Sequence, residues 1–267
     1  MQHLLSIYRA QFRITFATQL QYRAELLIWL IGMILEPVIY LVVWSAVSTA
    51  KGGAVDGFGP REFAAYFIVS MLVNFITFDW HMWEMEFRIR DGSFSPLLLR
   101  PVHPIHADMA SNITYKILML AVMLPVAAAL AYAFDAPIHP SAATVGCFIP
   151  AILLAWLLRS VLEWTMALVA FWTTRVLAIN RIYFSANVFL SGRMAPLVLL
   201  PATLGAVAAY LPFRWSVAFP TELLLGRIPL EEVPRGLLMQ CGWIAVCMVL
   251  LMVVWKRGVR HYAGVGA

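Results

Sequence analysis

Four ionisable side chains lie inside long apolar stretches, where a charge has the largest consequences. Glu36 precedes Pro37 in one stretch, Arg159 and Glu163 share a second, and Arg193 lies in a third. An ionised group away from water costs about 3 kcal/mol or more, so each is a candidate for a functional role. Structural roles remain the alternative. Glu36 can hydrogen-bond beside the backbone break at Pro37, and Arg159 can neutralise Glu163, because residues four apart share a helix face.

Motifs for chemistry at a phosphate, a zinc ion or a serine nucleophile are absent. The sequence contains no GxxxxGK[ST], HExxH or GxSxG, so these reactions lack their usual residues. His103, His106 and Asp108 lie close together, but Pro104 breaks the helix that would align them. We therefore expect no metal site and no enzyme activity in this chain.

The apolar stretches that position these groups dominate the composition. Of the 267 residues, 62% are hydrophobic and 12% are charged, whereas a soluble domain has roughly 25% charged residues. The apolar residues come in blocks long enough to cross a bilayer at ~20 residues per span. We expect an all-α integral membrane protein with six transmembrane helices. The net charge of +5 then reflects topology, and no motif or basic stripe indicates nucleic-acid binding.

The blocks also predict the order of the elements. The predicted spans are about 25–48, 62–83, 112–134, 143–172, a fifth that starts near 182, and 237–255. Asp79, His81 and Trp83 mark the end of the second span as interfacial anchors. Together the spans form one domain, a six-span bundle over residues 25–255.

The two ends of the chain are expected on the cytoplasmic side. Residues 1–24 place apolar side chains mostly four apart with arginines elsewhere on the helical wheel, which predicts an amphipathic helix in the membrane interface. A helix packed on other protein is the alternative. Lys and Arg are more frequent in the segments assigned to the inside, Lys116 and the tail 256–267 among them. This bias places both termini in the cytoplasm.

The longest polar interruption, residues 84–108, has features of a shaped loop. Asp91-Gly92 indicates a turn, Ser95-Pro96 starts a short helix, and Pro101 ends it. Its position between two spans and its basic charge place it in the cytoplasm. We interpret it as a docking surface for a cytoplasmic partner, with an ordinary connecting loop as the alternative. The residues assigned to this surface are Glu86, Arg88, Ile89, Arg90, Asp91, Gly92, Leu98 and Arg100.

The fifth apolar block leads into a segment that does not fit a simple helix. Prolines interrupt it at intervals too short for a span, namely at Pro196, Pro201, Pro212 and Pro220. Broken backbone at membrane depth persists only where it is buried in protein or faces water. A re-entrant hairpin or a set of interfacial helices on the outer side is therefore predicted.

Four stretches, taken in order, resemble a known family. They are RIRDGSFSPLLLRPVHP, SGRMAPLVLLP, LPFRWSVAFPTELLLGR and VWKRGVRHYAGVGA. They are similar to motifs of the membrane subunits of type-2 ABC exporters, in the subgroup of small six-helix bacterial permeases. The first stretch matches the family's loop after the second helix, the next two its fifth-helix motif and outer run, and the last its C-terminal end.

The resemblance implies a division of labour between chains. A separate cytoplasmic ABC ATPase dimer would bind ATP and Mg beneath two permease chains, alike or different, in a bacterial inner membrane. This chain would hold no cofactor of its own. The loop from Arg88 to Arg100 would sit in a groove of the ATPase and carry its closure to the spans.

The resemblance also implies a pathway and a gate. The segment from about Pro196 to Pro220, including Pro201, Pro212 and Phe213, would close the pathway on the outer side. Because the candidate pathway is mostly apolar, we expect an amphiphilic substrate such as a drug, a lipid or a peptide-like molecule. Its few charges would be Glu36, Arg159, Glu163 and Arg193.

Two other classes of function remain open. An ion-coupled secondary carrier could protonate Glu36 at mid-membrane, although residues 25–134 and 143–255 show no convincing internal symmetry. A non-transporting membrane scaffold needs none of these charges. Both classes dispense with an ATPase, so the presence of that partner discriminates them from an ABC permease.

Overall fold

The computed structural model describes residues 2–21, 23–173 and 176–262, with side chains from residue 6 to 21 and again from residue 28. Arg175, and residues 263–267 of the predicted cytoplasmic tail, lie outside the described residues. Every regular element within the described part of the chain is helical. The α-helices are α1 Gln2–Gln21, α2 Arg23–Ala50, α3 Pro60–Thr77, α4 His81–Arg90, α5 Ser95–Leu98, α6 Ile105–Ala133, α7 Ala142–Ala167, α8 Val176–Leu190, α9 Ala202–Tyr210, α10 Pro212–Ser216, α11 Ala218–Leu224 and α12 Val233–His261.

Five helical segments are long and apolar enough to cross a membrane. They are Ile28–Ala50, Pro60–Arg90, Ile105–Ala133, Ala142–Phe171 and Leu230–His261. The all-α membrane fold is thus confirmed, but the count of six spans is not. The fifth predicted span corresponds to α8, whose 15 residues rise only about 22 Å against a hydrocarbon core of about 30 Å.

Local sequence signals set where several helices begin. Pro60 occupies the first turn of α3, and the Glu62 carboxylate accepts a hydrogen bond from the Gly59 backbone N–H at 3.0 Å. Ser141 caps α7, because its hydroxyl accepts from the Thr144 N–H at 3.1 Å. Each device satisfies an N–H that has no partner within the helix, so these boundaries are encoded locally.

Helix α3 is the most enclosed of the five spans. It packs against α2, α6, α7 and α11, and almost every residue from Phe63 to Phe75 is buried. At its N-terminal end, Phe58, Phe63, Tyr66 and Phe67 form one aromatic cluster. A helix that is apolar on all sides belongs in the centre of a bundle, which explains why α3 shows little amphipathic character.

Two glycines allow α12 to lie close to its neighbours. A Cβ atom at Gly236 would overlap the ring of Phe219 in α11, and one at Gly258 would overlap the ring of Phe171. Phe171 also packs edge-on against Phe94 from the loop after α4. These contacts join α12 to the end of α7 and to the predicted docking surface.

Two predicted boundaries are wrong in detail. The second span, predicted as continuous over 62–83, ends at Thr77 and is followed by a break before α4. The third helix begins at Ile105 and not near 112, so His106 and Asp108 belong to its first turn. Pro104 provides the N-terminal boundary of this helix because proline is tolerated there.

The N-terminal helix α1 has two different sides. Toward α6, Gln11 donates a hydrogen bond to the Ser111 hydroxyl at 2.9 Å, and the buried Thr15 lies beside the same hydroxyl. Away from α6, Ile14 and Leu20 are exposed. The helix therefore packs on protein along one side and leaves an apolar side uncovered in this chain.

We predict that Gly258→Ala lowers the thermal midpoint of unfolding. The added Cβ would press on the Phe171 ring, and overpacking a core costs roughly 1–3 kcal/mol. Gly242→Ala is the matched control on the same helix, because open space surrounds that position, and it should be neutral or stabilising by up to ~1 kcal/mol. Tryptophan fluorescence during heating in detergent compares the two. Equal midpoints would contradict the close packing of α12.

Candidate functional site

The break between α3 and α4 is largely buried, and charged and polar side chains complete its backbone hydrogen bonds. The Phe78 carbonyl accepts from Lys116 Nζ at 2.7 Å and from Asn112 Nδ2 at 3.3 Å. The Asp79 backbone N–H donates to Glu163 Oε2 at 3.0 Å. A chain break inside an apolar bundle needs such partners. Lys116, which the sequence places among the inside charges, is a buried residue of α6.

Glu163 is the acceptor on which three elements converge. Arg159 Nε donates to its Oε1 at 2.7 Å, and the Tyr183 hydroxyl from α8 donates to the same oxygen at 3.1 Å. Arg159 also donates from Nη1 to Asn74 Oδ1 at 2.8 Å and lies over the Phe78 ring. Both members of the Arg159–Glu163 pair are fully buried. The pair neutralises itself, as the four-residue spacing predicts, and joins α3, α7 and α8.

A second ionic chain runs from the break toward the predicted docking surface. His81 Nδ1 lies 2.6 Å from Asp79 Oδ1, and its Nε2 lies 3.6 Å from Asp108 Oδ1. Asp108 also accepts from Arg88 Nη1 at 2.8 Å and from Trp164 Nε1 at 3.0 Å. Arg88 is thus committed to an internal ion pair and is only 21% exposed. This predicted docking residue therefore points into the bundle.

The loop that follows α4 has a fixed shape. Asp91 Oδ1 accepts from the Ser93 N–H at 2.9 Å and from the Ser93 hydroxyl at 2.7 Å, and these bonds lower the pKa of Asp91. Gly92 adopts a φ of 78°, which glycine tolerates without strain. Phe94 is fully buried and holds the loop against the bundle. The predicted turn at Asp91-Gly92 is therefore present.

The outward side of this loop carries apolar and cationic groups together. The Leu99 side chain is 87% exposed and that of Arg90 is 64% exposed, and Arg100 is also exposed. Ile89 and Leu98 are partly buried against the core, and Glu86 lies 3.6 Å from Arg90. The loop that Phe94 anchors therefore presents an exposed apolar side chain, Leu99, beside exposed cationic side chains.

His103 lies behind this surface and is held uncharged. Its ring packs against Trp255 with centroids 4.1 Å apart and the ring planes tilted by 50°. Burial, together with the neighbouring His106, lowers the pKa of His103 to about 4. At neutral pH the uncharged ring therefore packs as an aromatic group against Trp164 and Trp255. Asp108 is the third residue of the candidate metal-binding set His103, His106 and Asp108. Its carboxylate accepts hydrogen bonds from Arg88 and Trp164.

The other predicted charges form a separate site. Arg193 Nη2 donates to both Glu36 oxygens, at 2.9 and 3.1 Å. Trp44 Nε1 donates to the Met194 carbonyl at 2.9 Å, so α2 is attached twice to the turn after α8. Gly192 in this turn has a φ of 85° and lies against Tyr66, where no side chain fits. The structure thus pairs Glu36 with Arg193, and among the described residues no hydrogen bond or ion pair joins this pair to Arg159 or Glu163.

The segment after this turn is a series of short helices. A 3₁₀ turn at Leu197–Leu199 leads to α9, α10 and α11, none longer than 9 residues. Pro196 and Pro201 stand immediately before the 3₁₀ turn and α9, Pro212 begins α10, and Pro220 lies in α11. The next residue after Pro212, Phe213, packs on Tyr183 with ring centroids 5.7 Å apart. The broken segment is therefore in contact with the residue that binds Glu163.

Comparison with known families identifies the chain. The family described as ABC-2 family transporter protein matches residues 24–266. The chain belongs to this family. It is a multi-pass membrane protein and a permease subunit, without catalytic activity of its own, and the family in general works with an ABC ATPase. None of the curated proteins matches this chain.

Sequence reasoning missed the residues that connect the sites. Asp79 and His81 are predicted as interfacial anchors, and Lys116 as one of the inside charges, and all three are buried around the break. One sequence feature points to them. Each is an ionisable residue within a few positions of an apolar block, where a charge needs a partner. Their partners lie on other helices, so spacing along the chain does not identify them.

We predict that Arg159→Met and Glu163→Met each destabilise the permease by about 3–5 kcal/mol, because each leaves an unpaired buried charge. The double variant should recover part of this loss, since it removes both charges but leaves the Asp79 N–H and the Tyr183 hydroxyl without their acceptor. Arg61→Ala is the control, because the Arg61–Asp135 pair is largely exposed and such pairs contribute little. Thermal midpoints in detergent provide the measurement. A double variant no more stable than the single ones would contradict mutual neutralisation.

Proposed function

We propose that this permease is the membrane half of an ATP-driven exporter. It moves an amphiphilic substrate outward across a bacterial inner membrane and works with a cytoplasmic ATPase dimer and a second permease chain. Both termini lie in the cytoplasm in this proposal, which places the loop after α4 on the ATPase side. The observation that carries the proposal is that loop, rigid behind Phe94 and exposed at Leu99.

The contacts behind the loop support a route for coupling. Arg88 lies at the end of α4 nearest the loop and binds Asp108 of α6, which lies beside His81. His81 contacts Asp79, whose backbone binds Glu163 in α7. A partner that binds one arrangement of the loop more tightly would shift the arrangement of the bundle through these contacts. Double-mutant cycles along these contacts test whether the route carries the coupling.

The Glu36–Arg193 pair supports a pathway on the outer half of the protein. Glu36 lies midway along α2 and is 39% exposed in this chain. A charge at such depth avoids lipid tails and faces protein, water or a polar ligand group. We assign it to the pathway, where the pair attaches α2 to the broken segment that serves as the outer gate. An apolar route with one ion pair suits a substrate that has both apolar and polar parts.

We predict that Leu99→Asp weakens ATPase binding by about 30-fold, the effect of losing one apolar hot spot. Leu230→Asp, on an exposed leucine at the opposite end of the bundle, is the matched control and should leave binding unchanged. Arg90→Glu should reduce the coupling of ATP hydrolysis to transport. Recovery of the ATPase with purified Leu99→Asp and Leu230→Asp measures binding. For Arg90→Glu, the amount of substrate transported per ATP hydrolysed measures coupling. Equal recovery with Leu99→Asp and Leu230→Asp would contradict docking at this loop.

A charge exchange tests the pathway assignment. Glu36→Gln should reduce ATP-dependent uptake of fluorescent amphiphiles into inside-out vesicles, because it removes one side of the pair. Glu36→Arg combined with Arg193→Glu rebuilds the pair and should restore much of that uptake. Uptake driven by a pH gradient alone, and abolished by Glu36→Gln, would instead favour a secondary carrier.

A further inference from the structure

A groove between α1 and α6 is not used by any of the sites above. Its cavity has a volume of about 300 Å³, which is at the small end of ligand-binding sites. Phe12 from α1 and Ala110 and Ile113 from α6 supply an apolar lining, and Tyr8 and Thr114 add hydroxyl groups. The groove lies beside the Gln11–Ser111 hydrogen bond that holds the two helices together.

Two arginines line the same groove. Arg9 and Arg13 are one helical turn apart and exposed. Among the side chains that the structure describes, no carboxylate lies within ion-pair distance of either. Arg88, Arg159 and Arg193, in contrast, each bind a carboxylate. Two free guanidinium groups beside an apolar groove are complementary to an anion that carries a hydrocarbon chain.

We propose that this groove binds an anionic phospholipid of the cytoplasmic leaflet. The lipid phosphate lies between Arg9 and Arg13, because guanidinium groups form strong charge-assisted hydrogen bonds with phosphate oxygens. One acyl chain follows Phe12 into the groove and lies on Ile113. This assignment rests on the orientation proposed above, in which α1 lies at the cytoplasmic surface.

The remaining surface of α1 favours a lipid over a soluble anion. Phe12 and Phe16 stack with centroids 5.9 Å apart, and Ile14 and Leu20 are exposed. An amphipathic helix of this kind lies in the plane of the interface, with its apolar side in the acyl region. Basic residues on such a helix are attracted to anionic headgroups. A lipid in the groove would join α1 to α6 and so to Asp108, which binds the base of the docking loop.

The test measures lipid binding by the purified chain and needs no transport assay. A negative result would overturn the lipid proposal and leave the exporter proposal untouched. Native mass spectrometry follows titration with phosphatidylglycerol or phosphatidylcholine. We expect phosphatidylglycerol to be retained in preference. Arg9→Gln/Arg13→Gln should weaken it by roughly 10- to 30-fold, as two lost interfacial charges imply. Ile113→Trp, which fills the groove without changing charge, should also lose it.

The control removes the same charge on the same side of the membrane. Arg257→Gln/Arg260→Gln, on exposed positions of α12, should retain the lipid. If this variant loses as much phosphatidylglycerol as Arg9→Gln/Arg13→Gln, general surface charge explains the binding and the proposal is overturned. Retention by Ile113→Trp, or equal binding of phosphatidylcholine by the unaltered protein, overturns it as well. Thermal midpoints show whether each variant is folded, and Ile113→Phe replaces Ile113→Trp if the latter is not.

Discussion

The carboxylate of Glu163 is the buried acceptor for the backbone N–H of the break, for Arg159 and for Tyr183. The chain between Thr77 and His81 leaves helical geometry inside apolar surroundings, and its Asp79 N–H depends on Glu163. A buried carboxylate is stable only with a cation and further donors, which Arg159 and Tyr183 provide. The break and the ion pair therefore depend on each other. Without the break, α4 would continue the axis of α3.

This dependence explains how a largely apolar protein can contain a row of charged side chains in its interior. The polar contacts run from Glu163 through Asp79, His81 and Asp108 to Arg88 without an exposed step until the loop is reached. Each charge along the route has a partner, so the cost of burial is offset locally. The Glu36–Arg193 pair is different, because it lies on a side of α2 that this chain leaves partly open. We associate the first set with coupling and the second with the pathway.

Much of the fold could be predicted from the sequence because the decisive features are local. Apolar blocks, the Asp91-Gly92 turn and the Arg159–Glu163 spacing all act over a few residues. The break at Phe78 could not be predicted, since neither glycine nor proline marks it and its partners, Asn112, Lys116 and Glu163, come from α6 and α7. The Glu36–Arg193 contact joins positions 157 residues apart. Only the tertiary fold brings such groups together.

Site-specific photo-crosslinking in native membranes can show whether the loop carrying Leu99 docks onto an ATPase. A photoreactive amino acid at position 99 should capture a soluble ATPase subunit, identified by mass spectrometry, while the same probe at position 230 should not. Capture of the ATPase would show that the exposed leucine lies at the interface between the two proteins. Absence of any protein adduct at position 99, in membranes where other ABC complexes remain intact, would contradict the account.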